Sequence, residues 1–430
     1  MSSSFPFHIK EHTVPGQHIR EWPRATSRSQ EDILQLHVKQ YTPKDNPDPQ
    51  PGDITILGAH ANGFPKELYE ALWADLHAQS VGPKSRFRIR AIWVADISNQ
   101  GYSGQLNEDI LGDDPCWHDL SRDLLHLTNI FRAEMPRPII GVGHSFGANI
   151  LTNLALIHPR LMTTMVLLDP TIISFRAESS SGPGVDPARL SAFRRDLWPS
   201  RDAATESFRR SPFYCSWDPR VLEAWIEHAV RDLPTPLYPD YESGGATLRT
   251  TKHQELYTFY RPLWPHLENS SKVSKAAAPD FDPSLLSSLK PGQLPFSFYR
   301  SEGATVLRRL PEVRPSVLFV FGGTSDLSIP ELRELRMSTC GIGPGGSGGV
   351  AEGRVKGIVV EGKGHLFPME VPQLCADHAA SWIGSEMDRW RDEQKAYEAW
   401  VSLPMRHKTT MSQEFLERVG RPKKTTQPKL

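Results

Sequence analysis

The chain has 430 residues, of which 38% are hydrophobic and 23% charged, so it can bury a sizeable core and is not globally disordered. Its net charge of −1 argues against nucleic acid as a partner, because nucleic-acid-binding proteins present a basic surface. No apolar run reaches the length of about 18 residues that a transmembrane helix needs. Residues 1–10 lack the apolar centre of a signal peptide, and the four scattered cysteines are typical of free thiols in a reducing compartment.

Strand-like and helical patterns alternate along the chain. Residues 7–11 and 34–41 alternate in hydrophobicity and predict an antiparallel opening pair of strands. Buried strands are predicted at residues 54–58, 89–94, 139–142, 165–168, 317–321 and 357–360, with helical patterns between them, such as 68–77, 120–133 and 149–156. These eight runs predict an α/β fold with a mostly parallel sheet and helices on both faces.

Residues 171–314 interrupt this alternation. They contain helical patterns at 187–197, 220–232 and 252–267, Pro-rich connectors and many aromatic residues, but no clear parallel strand. This segment is predicted to form a helical cap, whose aromatic residues mostly build its own core while a few line a cleft against the sheet. The predicted organisation is a first core part over residues 1–170, the cap over 171–314, a second core part over 315–403 and a tail over 404–430.

The motif GHSFG at residues 143–147 indicates a nucleophile. A buried strand pattern precedes it and a helical pattern follows it, and a strand, a sharp turn and a helix are the setting of a nucleophile elbow at Ser145. A serine hydroxyl needs a base, and His365 is the best candidate because it follows the strand pattern at 357–360 in a Gly-flanked loop. The other histidines show no metal-binding spacing, so neither a metal nor a cofactor is expected.

Two carboxylates are candidates for the third member of a triad with Ser145 and His365. Asp326 follows the predicted strand at 317–321, and Asp169 follows the one at 165–168. Both follow the carboxyl ends of predicted strands, and Ser145 is predicted at the same edge of the sheet. An acid after the penultimate strand is the commoner arrangement, which favours Asp326 over Asp169.

Two N–H groups are expected to stabilise the negative charge that develops on the substrate oxygen. One is the backbone N–H of Phe146, directly after the nucleophile. The other is predicted in the loop after the strand at 54–58, with Asn62 as the donor and Ala61 or Gly63 as alternatives.

Together these motifs resemble those of the α/β-hydrolase superfamily over residues 52–383. They are HANGF at 60–64, the elbow at Ser145, the Asp326 loop and Gly364-His365, with DISNQGYSG at 96–104 as a loosened form of the loop after the fourth strand. The resemblance implies an α/β-hydrolase fold with an inserted helical cap. His60-Ala61 departs from the commoner His-Gly of the family, and a serine at the elbow argues against the dehalogenases and epoxide hydrolases that use aspartate there.

More narrowly, the length, the large cap, the FGGTS loop at 321–325 and the terminal tripeptide are similar to those of fungal peroxisomal α/β-hydrolases. That group includes a yeast peroxisomal lipase and hydrolases of host-selective toxin pathways. The similarity implies hydrolysis of an ester or thioester with an acyl or polyketide-like chain. An acyltransferase or cyclase that uses the same acyl-enzyme, and a non-catalytic binding protein of this fold, are the alternatives.

The last three residues, Pro428, Lys429 and Leu430, are similar to the Ser-Lys-Leu peroxisomal address. They predict binding to a peroxisomal import receptor and a location in the peroxisomal matrix.

Overall fold

A computed structural model describes residues 5–83, 85–174, 187–241, 243–268, 272–287 and 297–421 of the protein. Its main sheet consists of β1 (Phe7–Pro15), β2 (Gln35–Pro43), β3 (Ile54–Ala59), β4 (Ile89–Ala95), β5 (Ile139–His144), β6 (Thr164–Leu168), β7 (Ser316–Gly322) and β8 (Val355–Val360). The strand order is β1-β2-β4-β3-β5-β6-β7-β8. Strand β2 pairs antiparallel with β1 and β4, and the strands from β4 to β8 pair in parallel. The predicted eight-stranded, mostly parallel sheet is therefore confirmed.

The helices of the described residues are α1 (Glu70–Ser80), α2 (Gly101–Asn107), α3 (Trp117–Ile130), α4 (Phe146–Ile157), α5 (Pro187–Phe193), α6 (Arg201–Arg210), α7 (Pro212–Cys215), α8 (Pro219–His228), α9 (Lys252–Phe259), α10 (Ser284–Ser287), α11 (Glu302–Arg309), α12 (Pro330–Thr339), α13 (Phe367–Glu370), α14 (Pro372–Val401), α15 (Met405–Thr409) and α16 (Gln413–Val419). Within the described part of the chain, no helix is both long and apolar enough to cross a bilayer.

The core lies on both faces of the sheet, because successive residues of a strand point to opposite faces. In β3, Ile56 packs into the cluster that contains side chains of α1 and α14, whereas Leu57 packs into the cluster that contains side chains of α3 and α4. Strands β3, β5, β6 and β7 are buried throughout their length, which explains why they are recognisable as continuous apolar runs.

The predicted insertion between β6 and β7 is present, and it is mainly helical. A small sheet of Leu197–Trp198, Ala246–Leu248 and Val230–Asp232 lies among its helices. The helix predicted at 252–267 ends at Phe259, and the chain continues as the short strand Arg261–Pro262. Pro262 has no backbone N–H and therefore cannot extend the helix. Val306 of α11 packs into the same core cluster as α4, so the end of the insertion contacts the sheet layer.

Candidate active site

The turn between β5 and α4 holds Ser145 in a strained conformation. Its φ of 56° lies in the left-handed region that non-glycine residues rarely adopt. Position 147, two residues later, needs glycine, because a Cβ there would overlap the carbonyl oxygen of Ala59. The predicted strand, turn and helix therefore surround Ser145 as expected for a nucleophile elbow.

A continuous chain of hydrogen bonds joins Ser145, His365 and Asp169. His365 Nε2 lies 2.8 Å from Ser145 Oγ, and His365 Nδ1 lies 2.7 Å from Asp169 Oδ2. Asp169 is fully buried directly after β6, whereas the imidazole of His365 is partly exposed. The structure thus brings together a hydroxyl, an imidazole and a carboxylate in the order that general-base activation requires.

The carboxylate of Asp169 is held in its ionised form. Burial alone would raise its pKa, but the hydrogen bond and charge of His365 and the hydroxyls of Ser325 and Ser328 lower the pKa to about 2. Both serine hydroxyls lie 2.5 Å from a carboxylate oxygen, and the backbone N–H of Gly322 donates to Oδ1 over 3.0 Å. Asp169 can therefore accept a hydrogen bond from the Nδ1–H of His365 and fix the tautomer of that ring.

The sequence favours Asp326 over Asp169, but the carboxylate that contacts His365 in the structure is that of Asp169. Asp326 is exposed at the start of the short 3-10 helix Asp326–Ser328, and among the described residues no hydrogen bond links it to His365. The loop after β7 turns the side chains of Ser325 and Ser328 toward Asp169 instead. The loop after β7 thus supplies hydroxyl groups that support the carboxylate of Asp169.

The backbone N–H groups of Phe146 and Asn62 have no hydrogen-bond partner in the described part of the chain. The alternatives in the same loop are already occupied. The N–H of Ala61 donates to Tyr69 Oη over 3.0 Å, and that of Gly63 donates to Gln100 Oε1 over 2.7 Å. Of the three candidates in the loop, the Asn62 N–H is the one left available to a substrate oxygen.

Buried hydrogen bonds connect the loop at 60–64, through Tyr69 and His144, to the loop that carries His365. Tyr69 Oη lies 2.8 Å from His144 Nδ1, and His144 Nε2 lies 3.0 Å from the backbone oxygen of His365. Burial and the charge of His365 lower the pKa of His144 to about 3, so its ring is neutral. Because a carbonyl oxygen only accepts, His144 donates from Nε2 and accepts the Tyr69 hydroxyl at Nδ1. His144 belongs to the elbow motif, but no sequence pattern indicated Tyr69.

Polar contacts also join the loop at 60–64 to the cap. The Asn62 side chain donates from Nδ2 to the backbone oxygen of Glu255 in α9 over 3.1 Å. Gln100 Nε2 lies 2.5 Å from Asn62 Oδ1 and 3.2 Å from Thr258 Oγ1, also in α9. Phe64 makes edge contacts with Trp217 and Trp225 of the cap. The cap aromatics therefore pack partly on this loop. Gln100 lies within the motif at 96–104, but that motif predicted no contact for it.

No group of three or more His, Cys, Asp or Glu side chains that could hold a metal ion is found in the described ranges. The predicted address at Pro428, Lys429 and Leu430 lies outside the described residues.

Comparison with known proteins identifies the relatives of this chain. Residues 56–378 match the model of the alpha/beta hydrolase family. The type I acyl-CoA thioesterase mpaH of Penicillium roqueforti is 42% identical over 415 residues, which cover 92% of each chain. The abhydrolase domain-containing protein AFT2-1 of Alternaria alternata is 30% identical over 286 residues, which cover 62% of this chain and 97% of that protein.

Among solved structures, the peroxisomal alpha-beta-hydrolase Lpx1 of Saccharomyces cerevisiae superposes with a TM-score of 0.66. The superposition covers 95% of this chain and 99% of the yeast protein at 16% sequence identity, so it supports the fold. The resemblance stated from the sequence motifs is confirmed, and the chain belongs to the alpha/beta hydrolase family.

Proposed function

We propose that the protein is a serine thioesterase that hydrolyses an acyl-CoA through an acyl-enzyme on Ser145, with His365 as the base and Asp169 as the acid. The observation that carries this proposal is the hydrogen-bond chain from Asp169 through His365 to Ser145 Oγ. The choice of a thioester over an oxyester rests on the acyl-CoA thioesterase of Penicillium roqueforti, which is similar to this chain along nearly its whole length.

In the acylation step, Asp169 accepts a hydrogen bond from the Nδ1–H group of His365, which keeps its proton, so that Nε2 is free to take the proton of Ser145. Ser145 Oγ then bonds to the thioester carbon, and the negative charge moves to the carbonyl oxygen. The N–H groups of Phe146 and Asn62 are the proposed donors to this oxygen. The carbon–sulfur bond breaks, and the departing thiol takes the proton from His365.

In the deacylation step, His365 takes a proton from water while the water oxygen bonds to the acyl carbon. The bond from this carbon to Ser145 Oγ then breaks, and Oγ takes the proton back from His365. The products are a free acid and the restored hydroxyl, so one base serves both halves of the reaction.

The predicted address at Pro428, Lys429 and Leu430 supports a location in the peroxisomal matrix as part of this proposal. The domain boundaries at residues 170, 314 and 403 likewise remain predictions.

The proposed function is tested by following thiol release from short-chain and long-chain acyl-CoAs with the wild type and Ser145→Ala. The variant should lose at least about a thousandfold in kcat/KM, because no other group replaces the nucleophile. Ser338→Ala, which removes an exposed hydroxyl on α12, serves as the matched control and should behave as the wild type. Matched oxyesters of the same acyl groups test the choice of thioester. Full thioesterase activity in Ser145→Ala, or activity of the wild type on oxyesters alone, would contradict the proposal.

A further inference from the structure

Thr171 lies beside the nucleophile, and it was not indicated by any motif. Its hydroxyl oxygen is 3.2 Å from Ser145 Oγ. Two backbone contacts hold it there: the Thr171 N–H donates to the backbone oxygen of Ser145 over 3.0 Å, and Asn149 Nδ2 donates to the backbone oxygen of Thr171 over 2.9 Å. The hydroxyl is thus anchored to the elbow itself and does not depend on a distant loop.

The chain reaches this position through an unusual turn at Asp169. The Asp169 N–H donates to Val320 in β7, whereas the Thr171 N–H, two residues later, donates to Ser145. Asp169 has a φ of 42°, in the left-handed region that non-glycine residues rarely adopt. Such strain is typical of functional sites, and here one turn places both the carboxylate and the Thr171 hydroxyl at the reacting groups.

The direction of the hydrogen bond between Thr171 and Ser145 follows from the neighbouring groups. The Asp169 carboxylate accepts a hydrogen bond from the His365 Nδ1–H, so His365 Nε2 has a lone pair and accepts the hydrogen bond that Ser145 donates with its single proton. Ser145 Oγ therefore has no proton left to give to Thr171. In the resting site, Thr171 is the donor and Ser145 Oγ is the acceptor.

We propose that Thr171 is a further catalytic residue, whose hydroxyl donates a hydrogen bond to Ser145 Oγ and speeds hydrolysis of the acyl-enzyme. This inference rests on the proposed function. As the acyl carbon–Oγ bond breaks, negative charge develops on Oγ until His365 returns its proton, and Thr171 stabilises that charge while it keeps its own proton. No bond to Thr171 forms or breaks.

The effect belongs mainly to the deacylation step. An interaction accelerates a step only if it is stronger in the transition state than in the state before it. The ester oxygen of the acyl-enzyme is a weak acceptor and becomes a strong one as it leaves, so the Thr171 hydrogen bond strengthens during deacylation. Before acylation, Ser145 Oγ is a hydroxyl oxygen that already accepts a hydrogen bond from Thr171. This hydrogen bond therefore strengthens less during acylation and lowers the acylation barrier less.

The test compares Thr171→Val, which keeps the shape of the side chain, with Thr171→Ser, which keeps the hydroxyl. Thr163→Val is the matched control, since Thr163 precedes β6 and its buried hydroxyl has no partner within the described residues. Thiol release from an acyl-CoA is followed from the first turnover, and intact-protein mass spectrometry measures the acylated fraction.

Thr171→Val should release a burst of thiol close to the enzyme concentration and then turn over about tenfold more slowly than the wild type, as loss of one hydrogen bond implies. KM should fall with kcat, so that kcat/KM stays nearly unchanged, and the acyl-enzyme should accumulate. Thr171→Ser should restore most of kcat, and Thr163→Val should match the wild type. If Thr171→Val does not fold, Thr171→Ala is used in the same comparison.

Equal losses of kcat and kcat/KM without accumulation of acyl-enzyme would overturn the inference, as would a Thr171→Ser variant as slow as Thr171→Val. A wild type that is acylated and turns over normally beside an unaffected Thr171→Val would refute the role of Thr171 alone. A wild type that releases no thiol from any acyl-CoA and is never acylated would instead refute the proposed function.

Discussion

At the scale of single residues, three non-glycine residues of the described chain have a positive φ, and two of them, Ser145 and Asp169, are reacting groups, while the third is Ile19. Ser145 and Asp169 have φ values of 56° and 42°, and both are held by backbone hydrogen bonds to neighbouring strands. The Ser145 N–H donates to Leu168 over 2.8 Å, and the Asp169 N–H donates to Val320 over 2.7 Å. The sheet therefore supports conformations that cost roughly 1–3 kcal/mol each and that place the hydroxyl and the carboxylate on either side of His365.

The same scale explains why sequence patterns favoured Asp326, whereas the hydrogen bond of His365 favours Asp169. Asp169 and Asp326 both follow buried strands whose ends lie at one edge of the sheet, so strand prediction alone does not separate them. Which of the two carboxylates reaches His365 depends on the direction of its side chain. That direction is set by long-range hydrogen bonds such as those of Ser325 and Ser328 to Asp169, which lies more than 150 residues earlier in the chain.

At the scale of elements, hydrogen bonds join cap helix α9 to the loop at 60–64, which carries the proposed oxyanion donor Asn62. Gln100 is central to this contact. Its Oε1 accepts from the Gly63 N–H, and its Nε2 lies within hydrogen-bond distance of Asn62 and Thr258. Gln100 is fully buried, so no water replaces these partners readily. A displacement of α9 would therefore be transmitted to the backbone of Asn62.

Gln100→Met keeps the length of this side chain but removes all three hydrogen bonds. We expect kcat on acyl-CoA to fall about tenfold with a smaller change in KM, because the Asn62 N–H is no longer held in place for the developing charge. Affinity for a trifluoromethyl ketone, which forms a tetrahedral adduct, should fall by a similar factor. Gln373→Ala on the exposed face of α14 is the control. Unchanged ketone affinity in Gln100→Met would argue against this coupling.

The elements themselves were largely predictable from the sequence. The runs at 165–168 and 317–321 correspond to Thr164–Leu168 and Ser316–Gly322, because strands buried on both faces are continuous apolar stretches. The elbow was predictable because a strand and a helix flank its motif. Tyr69, Gln100 and Thr171 were not, since each acquires its role from a contact with a loop that is distant in sequence or turned by local strain.

At the scale of the whole molecule, buried neutral histidines should make folding sensitive to acid. Burial is the largest cause that lowers the pKa of each, and for His144 the value falls to about 3. In the unfolded chain a histidine takes up a proton near pH 6.5, so below that pH the unfolded state binds more protons and stability falls. The histidines with a lowered pKa are His37, His60, His118, His144, His228 and His266.

We therefore expect the free energy of unfolding, measured in denaturant, to decrease between pH 7.5 and pH 5.5. Each fully neutral buried histidine contributes up to about 1.4 kcal/mol per pH unit below its unfolded pKa. Glu70 and Asp119 oppose this trend, because burial raises their pKa values, that of Asp119 to about 6, and the folded state then takes up protons. His60 and His144 are fully buried and should dominate the decrease. A stability that stays level or rises over this range would contradict the expectation.

The central claim is that Ser145 is activated through His365 by Asp169, and it is tested most directly by comparing kcat/KM of Asp169→Asn and Asp326→Asn on the same acyl-CoA. An asparagine amide at position 169 no longer fixes the Nδ1-protonated tautomer of His365, so Asp169→Asn should lose about a thousandfold or more in kcat/KM. Asp326 is exposed and makes no hydrogen bond to His365 in the described part of the chain, so Asp326→Asn should stay within about twofold of the wild type. Near-normal activity in Asp169→Asn, together with a large loss in Asp326→Asn, would contradict the account.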